Sequence, residues 1–286
     1  MYPNLAALTL LLTGTAVTLI TLAATRNRLP RQKNYRNMKI PTATGMVLIP
    51  IILLGMVLGG VLLGWSVGSL AFLLYALLAA VVGYVDDVYG SSESRGFGGH
   101  LGALLRGRVT TGMVKVVALG GGAVVLASVL VSGPAFAPAS APVGVAVNGG
   151  IFSVIIASVL VAGSVNLANL LDVRPARTLK FLGIPVLALI LAVPEAARGA
   201  ALLVVGGALA LAPLDLRGRV MLGDSGAAVV GAVFGYLVVM SGSYSVWGVA
   251  LVVVVGLTVV AEVSSISALI GRVGLLRKLD RWGRDL

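Results

Sequence analysis

Nine long apolar runs, separated by short polar segments, make up most of the chain. They lie near residues 5–25, 46–64, 67–85, 113–132, 151–168, 179–194, 199–214, 226–242 and 246–270. A helix needs about 20 apolar residues to cross the hydrocarbon core of a bilayer. The pattern predicts an all-α polytopic integral membrane protein with about nine transmembrane helices, ten being the alternative, and a single membrane-embedded domain over residues 1–286.

Basic residues fall on alternate segments between these runs. All but one of the 21 lysines and arginines lie in segments that nine helices would put on one side of the membrane, and only Arg198 lies on the other. Cytoplasmic loops carry an excess of Lys and Arg. We therefore predict a multi-pass protein of the cell membrane with its N-terminus outside and its C-terminus in the cytoplasm. The Pro- and Ala-rich segment 133–150 is predicted to be an external loop.

The composition narrows the class of protein and of partner. Hydrophobic residues make up 58% of the chain and charged residues 11%, whereas soluble domains have about 45–50% and about 25%. The net charge of +11 comes from the loops, so we expect membrane lipids but no nucleic acid as partners. The chain has no cysteine and therefore no thiolate metal ligand, and its 38 glycines permit close helix packing and a homodimer.

Acidic and amide side chains collect where three of the runs meet the predicted cytoplasmic side. Asp86 and Asp87 end the third run, Asp224 opens the eighth, and Asn166, Asn169 and Asp172 follow at i, i+3 and i+6 along one side of the fifth helix. Carboxylate and amide oxygens suit a hard cation such as Mg²⁺, and the basic loops suit an anionic substrate. The glycine-flanked start of the eighth helix predicts free backbone N–H groups for a phosphate. The residues alone therefore predict metal-assisted phosphoryl chemistry at the inner membrane face.

At these residues the sequence resembles the polyprenyl-phosphate N-acetylhexosamine-1-phosphate transferases, of glycosyltransferase family 4 type. GYVDDVYG is similar to the Asp-Asp loop of that family, NLANLLD to its Asn-x-x-Asn-x-x-Asp motif and MLGDSGAAVVG to its Met-Gly-Asp-x-Gly-Ser segment. MKIPTATG, at 38–45, resembles its first loop, and Lys115 stands where a family lysine opens the fourth span. These motifs occur in the family order over most of the chain.

The resemblance implies transfer of a sugar-1-phosphate of HexNAc type from a UDP-sugar to an undecaprenyl-like polyprenyl phosphate, with release of UMP. It implies Mg²⁺ as the cofactor, with Mn²⁺ as an alternative, held by Asn169 and Asp224. By the family pattern, one of Asp86 and Asp87 orients or deprotonates the lipid phosphate, and Asp224 completes the catalytic group. The expected substrate-binding residues within the motifs are Lys39, Thr44, Lys115, Asn166 and Asp172.

The sequence departs from the family pattern in two places. Asp172 is followed by VRPAR rather than by Gly-Leu-Asp-Gly, and the His-rich motif of the fifth cytoplasmic loop is absent, since His100 is the only histidine. The segment GRVGLLRKLDRWGRDL stands in its place. That loop helps to choose the sugar in the family, so the identity of the sugar stays open. We expect Arg174, Arg177 and Arg272 to supply phosphate contacts instead.

Three other functions stay open at this stage. A catalytically inactive relative that binds polyprenyl phosphate or a partner enzyme is favoured by the missing His motif and opposed by the retained acidic residues. A transporter would place charges near the middle of its spans, whereas here they lie at helix ends. A CDP-alcohol phosphotransferase would need its aspartates in one tight cluster within a single segment, and the sequence lacks such a cluster.

Overall fold

The computed structural model describes residues 3–34, 36–59, 65–90, 107, 110–133 and 150–283. Its helices are α1 (Pro3–Thr25), α2 (Ile49–Val57), α3 (Val67–Tyr89), α4 (Thr111–Ser132), α5 (Ile151–Leu171), α6 (Arg177–Phe181), α7 (Gly183–Ala192), α8 (Glu195–Leu216), α9 (Gly223–Met240), α10 (Tyr244–Val263), α11 (Ile266–Arg272) and α12 (Gly274–Arg281). A short 3-10 helix, Thr44–Leu48, precedes α2. His100 and most of the predicted external loop 133–150 lie outside the described residues.

Seven helices of the described chain are long and apolar enough to cross a membrane. They are Leu5–Thr25, Val67–Tyr89, Thr111–Ser132, Ile151–Leu171, Ala197–Leu216, Gly223–Met240 and Tyr244–Val263. The prediction of a multi-pass helical membrane protein is thereby confirmed. The predicted spans 46–64 and 179–194 contain shorter helices, Thr44–Val57 and α7. The count of nine and the orientation in the membrane stay predictions.

The prediction of one continuous span over 246–270 is wrong. The helix ends at Val263, and Ser264 and Ser265 are extended, with φ/ψ of −151°/−167° and −101°/126°. The hydroxyl of Ser264 donates to the carbonyl oxygen of Val260, and so competes with the helical backbone at its last turn. A separate short helix, α11, follows and leads into α12.

Side-chain caps fix the starts of three of the long helices. The hydroxyl oxygens of Ser66, Thr110 and Ser243 accept the backbone N–H three residues on, at 3.2, 3.3 and 3.4 Å, and so begin α3, α4 and α10. Leu222, which precedes α9, provides no such cap. The first turn of α9 is satisfied from another helix, as described below.

Helix α9 lies at the centre of the bundle. Of the residues in its membrane-spanning stretch 94% are buried, whereas the corresponding share is 17% in α1 and 17% in α10. Its small residues let neighbouring helices approach closely; these are Gly226, Ala227, Ala228, Gly231, Ala232 and Gly235. The α9 helix packs mainly between α3 and α5. The first turn of α9 is consequently held between the ends of those two helices.

A small hairpin lies beside the start of α9. Strands β1 (Arg31–Lys33) and β2 (Lys39–Pro41) pair antiparallel, with Gln32 opposite Ile40. The carbonyl oxygen of Pro41 accepts the N–H of Met221 at 2.8 Å, and the Gln32 amide donates to the carbonyl oxygen of Asp87 at 3.2 Å. Apart from this hairpin, the all-α prediction is confirmed for the described residues.

Candidate active site

Three ionised side chains from three helices meet at one end of the bundle. The Lys115 ammonium, at the start of α4, contacts Asp224 Oδ2 at 2.7 Å and Asp86 Oδ2 at 3.2 Å. Asp86 lies in the last turn of α3 and Asp224 in the first turn of α9. All three side chains are more than half buried, so the ion pairs are less screened than surface pairs. The structure thus brings together residues that lie up to 138 positions apart in the chain.

Asp87 binds the first turn of α9 with both of its carboxylate oxygens. Oδ1 accepts the N–H of Asp224 and Oδ2 accepts the N–H of Ser225, each at 3.0 Å. A carboxylate at a helix N-terminus is stabilised by these charge-assisted bonds and by the helix dipole. The expectation of free N–H groups for a phosphate at this helix start is therefore wrong for these two groups, because Asp87 already occupies them.

Close backbone contacts set this geometry. A side chain at Gly83 would put its Cβ 2.5 Å from the Cα of Ser225, and one at Gly45 would put it 2.1 Å from the backbone nitrogen of Gly226. Asp87 lies four residues after Gly83 and therefore on the same side of α3. The absence of a side chain at Gly83 lets α3 come close enough for Asp87 to reach the α9 backbone.

Asp172, directly after α5, faces the same helix start. The N–H of Gly223 interacts with its carboxylate, and the Thr178 hydroxyl lies 3.5 Å from its Oδ1. Burial raises the pKa of Asp172 well above its usual range, and the negative charges of Asp215, Asp224 and Asp87 raise it further. Several carboxylates thus share one small region, an arrangement that a bound cation would stabilise.

The side-chain oxygen of Asn169 is the strongest indication of a metal ligand. Asn169 Oδ1 is buried and accepts no hydrogen bond from the described residues, although buried polar atoms are nearly always paired. No three His, Cys, Asp or Glu side chains of the described chain form a metal-binding group. Mg²⁺ suits a partial set of this kind, because it is commonly held by one or two carboxylates together with substrate phosphates and water. The residues present therefore fit a divalent cation shared with an anionic substrate.

The other predicted substrate-binding residues are distributed around this cluster. Thr44 is fully buried and its hydroxyl donates to the Met221 carbonyl oxygen at 2.9 Å. Arg174 is exposed and lines a cleft together with Asp172. Lys39 is exposed on β2. Thr44 and Arg174 therefore flank Asp172 and the start of α9.

Two of the predicted residues make contacts elsewhere, and a third is exposed at the end of a helix. Asn166 is exposed, and its Nδ2 lies 3.5 Å from the Thr258 hydroxyl on α10, which is an interhelical contact. Arg177 is buried and its guanidinium is bound to Asp280 and Ser267. Arg272 is exposed at the end of α11. The structure does not bring the side chains of Asn166 and Arg177 into the carboxylate cluster.

Two further residues near the site were missed in the sequence. Asn34 is buried and lines the same cleft. Its Oδ1 accepts the N–H groups of Arg36 and Met38, so its Nδ2 must point the other way. There the Nδ2 has no hydrogen-bond partner among the described residues. Asp215 is 4% exposed and accepts the N–H of Ala176 at 2.9 Å, which orders the loop after Asp172. Asp215 ends an apolar run, as Asp86 does, and that pattern alone would have identified it.

A comparison with known protein families identifies the family of the chain. A family model described as glycosyl transferase family 4 matches residues 69–242, from the first turn of α3 to just beyond α9. The match includes the residues of the cluster, which are Asp86, Asp87, Lys115, Asn169, Asp172 and Asp224. A search of the curated proteins found no significant match. The matched segment covers more than half of the chain, so the chain belongs to glycosyl transferase family 4.

Proposed function

We propose that the protein transfers a HexNAc-1-phosphate from a UDP-sugar to a polyprenyl phosphate, with Mg²⁺ as cofactor, and releases UMP at the cytoplasmic face of the cell membrane. Family membership supports the coarser statement, an enzyme that moves a sugar phosphate onto a polyprenyl phosphate acceptor. One observation carries the finer proposal: the Lys115 ammonium binds Asp86 and Asp224 at once, beside Asp87 and Asp172. An ammonium can bind a diphosphate directly, and carboxylates beside it can hold a divalent cation that binds the same diphosphate.

The reaction exchanges one phosphorus–oxygen bond for another. An oxygen of the polyprenyl phosphate forms a bond to the β-phosphorus of the UDP-sugar, and the bond from that phosphorus to the oxygen bridging the two phosphates breaks. UMP leaves with the electron pair. Charge spreads over the phosphoryl oxygens during such a transfer, so positioning and charge neutralisation lower the barrier most.

The side-chain contacts divide the roles of the two adjacent aspartates. Both oxygens of Asp87 are bound by the α9 backbone, which suits a positioning residue. The Asp86 carboxylate contacts the Lys115 ammonium and also interacts with the side chains of Asp224 and Thr111. It is partly accessible, so we place it to orient the lipid phosphate or take its proton. Lys115 neutralises phosphate charge in this arrangement.

The remaining residues bind the donor in this proposal. Asp224 and Asn169 would hold Mg²⁺, or Mn²⁺ in its place, which when bound would neutralise the diphosphate and the departing UMP. The exposed Arg174, at the rim of the cleft beside Asp172, would contact the diphosphate, as would the exposed Lys39 and Arg272. Burial of the Arg177 guanidinium against Asp280 leaves it out of this set.

Release of UMP from a panel of UDP-sugars tests the proposal. We expect the purified protein in lipid nanodiscs to release UMP from a UDP-HexNAc only when polyprenyl phosphate and Mg²⁺ are both present. Omission of the lipid, addition of a chelator and the variant Asp86→Asn should each stop the release. Absence of UMP with every donor, while polyprenyl phosphate still binds, would contradict the proposal and favour a catalytically inactive relative.

A further inference from the structure

The helix α12 is fixed to the active-site end of the protein by a buried clamp. The Arg177 guanidinium binds both oxygens of Asp280, at 2.8 and 3.1 Å, and Ser267 of α11 at 2.8 Å. Arg177 is 1% and Asp280 6% exposed. The Lys180 ammonium donates to the carbonyl oxygens of Asp280 and Trp282, at the C-terminus of α12, where a cation is favoured by the helix dipole. The clamp holds α12 in one orientation relative to α6.

The short chain segment between the span α10 and helix α12 also keeps α12 close to the membrane. The span α10 ends at Val263, and only α11 and the short extended segments on either side of it separate α10 from Gly274, where α12 begins. Arg177 follows Asp172 by five residues, and the intervening Ala176 is held by Asp215. The chain therefore leaves the bilayer at the end where the carboxylate cluster lies, and α12 lies beside that exit.

Two kinds of side chain remain exposed on α12. Leu275, at the start of α12, and Trp282, directly after its last residue, are seven residues or about two turns apart and thus lie on one side. They are 76% and 69% exposed. Arg277 and Arg281, one turn apart, lie on another side, Lys278 lies between the two sides, and all three are exposed. Asp280, with the partly buried Leu276 and Leu279, faces the protein. The helix thus has an apolar edge and a basic edge, both turned away from the protein.

We propose that α12 lies in the plane of the membrane surface, with Leu275 and Trp282 among the acyl chains and Arg277, Lys278 and Arg281 on anionic lipid headgroups. Helices with a basic face beside exposed Leu and Trp bind the interface in this way, and tryptophan is enriched at that depth. The charge of the basic edge is complementary to an anionic leaflet. If α12 stood in water, the large apolar side chains of Leu275 and Trp282 would stay exposed to solvent, although the bilayer is only a few residues away along the chain.

Spin labels on single cysteines test this placement. The natural chain has no cysteine, so Leu275→Cys and the matched control Arg277→Cys each carry one label on the same helix. The labelled full-length protein is reconstituted in vesicles of phosphatidylcholine with phosphatidylglycerol, and relaxation by O₂ and by a water-soluble nickel chelate is measured. We expect the label at 275 to be relaxed by O₂ and shielded from nickel, and the label at 277 to show the reverse.

The contribution of the basic edge is measured in the same way. With Arg277, Lys278 and Arg281 all changed to glutamine, the label at 275 should become several-fold more accessible to nickel. The charge-preserving variant Arg277→Lys with Arg281→Lys should keep it shielded. Equal nickel access at 275 and 277 would overturn the proposal, because α12 would then stand in water. Shielding of 275 from both O₂ and nickel, with spin coupling between copies, would overturn it in favour of a second copy of the chain. No readout depends on turnover, so the result stands apart from the proposed reaction.

Discussion

Asp224→Asn should lower the rate of UMP release by about 10³-fold or more and leave the protein folded. Asparagine keeps the size of the side chain, and the backbone N–H of residue 224 can still donate to Asp87. What is lost is the negative charge that Lys115 contacts at 2.7 Å and that the proposed cation requires. The rate of UMP release under saturating donor and lipid measures the effect.

Glu195→Gln is the matched control for this loss of one negative charge. Glu195 is exposed in the first turn of α8 and has no part in the carboxylate cluster. We expect its rate of UMP release to equal that of the unchanged protein. An Asp224→Asn protein that keeps a rate within a few-fold of the control would remove Asp224 from the reaction.

Gly83→Ala should cause a large loss of stability. The new Cβ would lie 2.5 Å from the Cα of Ser225 and 2.6 Å from the Asp224 carbonyl oxygen, and neither backbone atom belongs to a flexible side chain. Overpacking costs about 1–3 kcal/mol or more when the neighbours cannot move aside. An increase in the distance between α3 and α9 would also pull Asp87 away from the N–H groups of Asp224 and Ser225, so activity should fall as well.

Gly120→Ala provides the comparison for Gly83→Ala. Gly120 lies within α4, and a Cβ there would meet no heavy atom within 4 Å. Alanine within a helix is favoured over glycine, so we expect unchanged or slightly higher thermal stability in nanodiscs and unchanged activity. Equal melting temperatures for the two variants would contradict the close packing of α3 on α9.

Hydropathy and loop charge were sufficient to predict the membrane class, and the helix-end position of the acidic residues was sufficient to predict which ones meet. Asp86, Asp172 and Asp224 lie where separate apolar runs end on one predicted side, so helix packing brings them together. Asp215 follows the same rule and was missed only because no motif contains it.

Other features depend on contacts that a one-dimensional pattern does not record. Asp87 can cap α9 only because α3 and α9 pack closely in one register along their axes. The close contact between Gly83 on α3 and Ser225 on α9 sets that register. Likewise, Arg177 was predicted to bind phosphate because it lies in the loop after Asp172. In the structure its guanidinium binds Asp280, which lies 103 residues further along the chain. The break at Ser264 escaped the hydropathy average because apolar residues continue on both sides of it.

Binding of Mn²⁺, followed by the electron paramagnetic resonance of the free ion, tests the shared metal site most directly. In the presence of UMP, we expect one Mn²⁺ ion to bind to each chain. The affinity for Mn²⁺ should be weakened by about tenfold or more in the variants Asp224→Asn and Asn169→Leu. It should be unchanged in the control Glu195→Gln. That result would show that the ends of α5 and α9 hold one cation together. Equal affinity in all four proteins would contradict it.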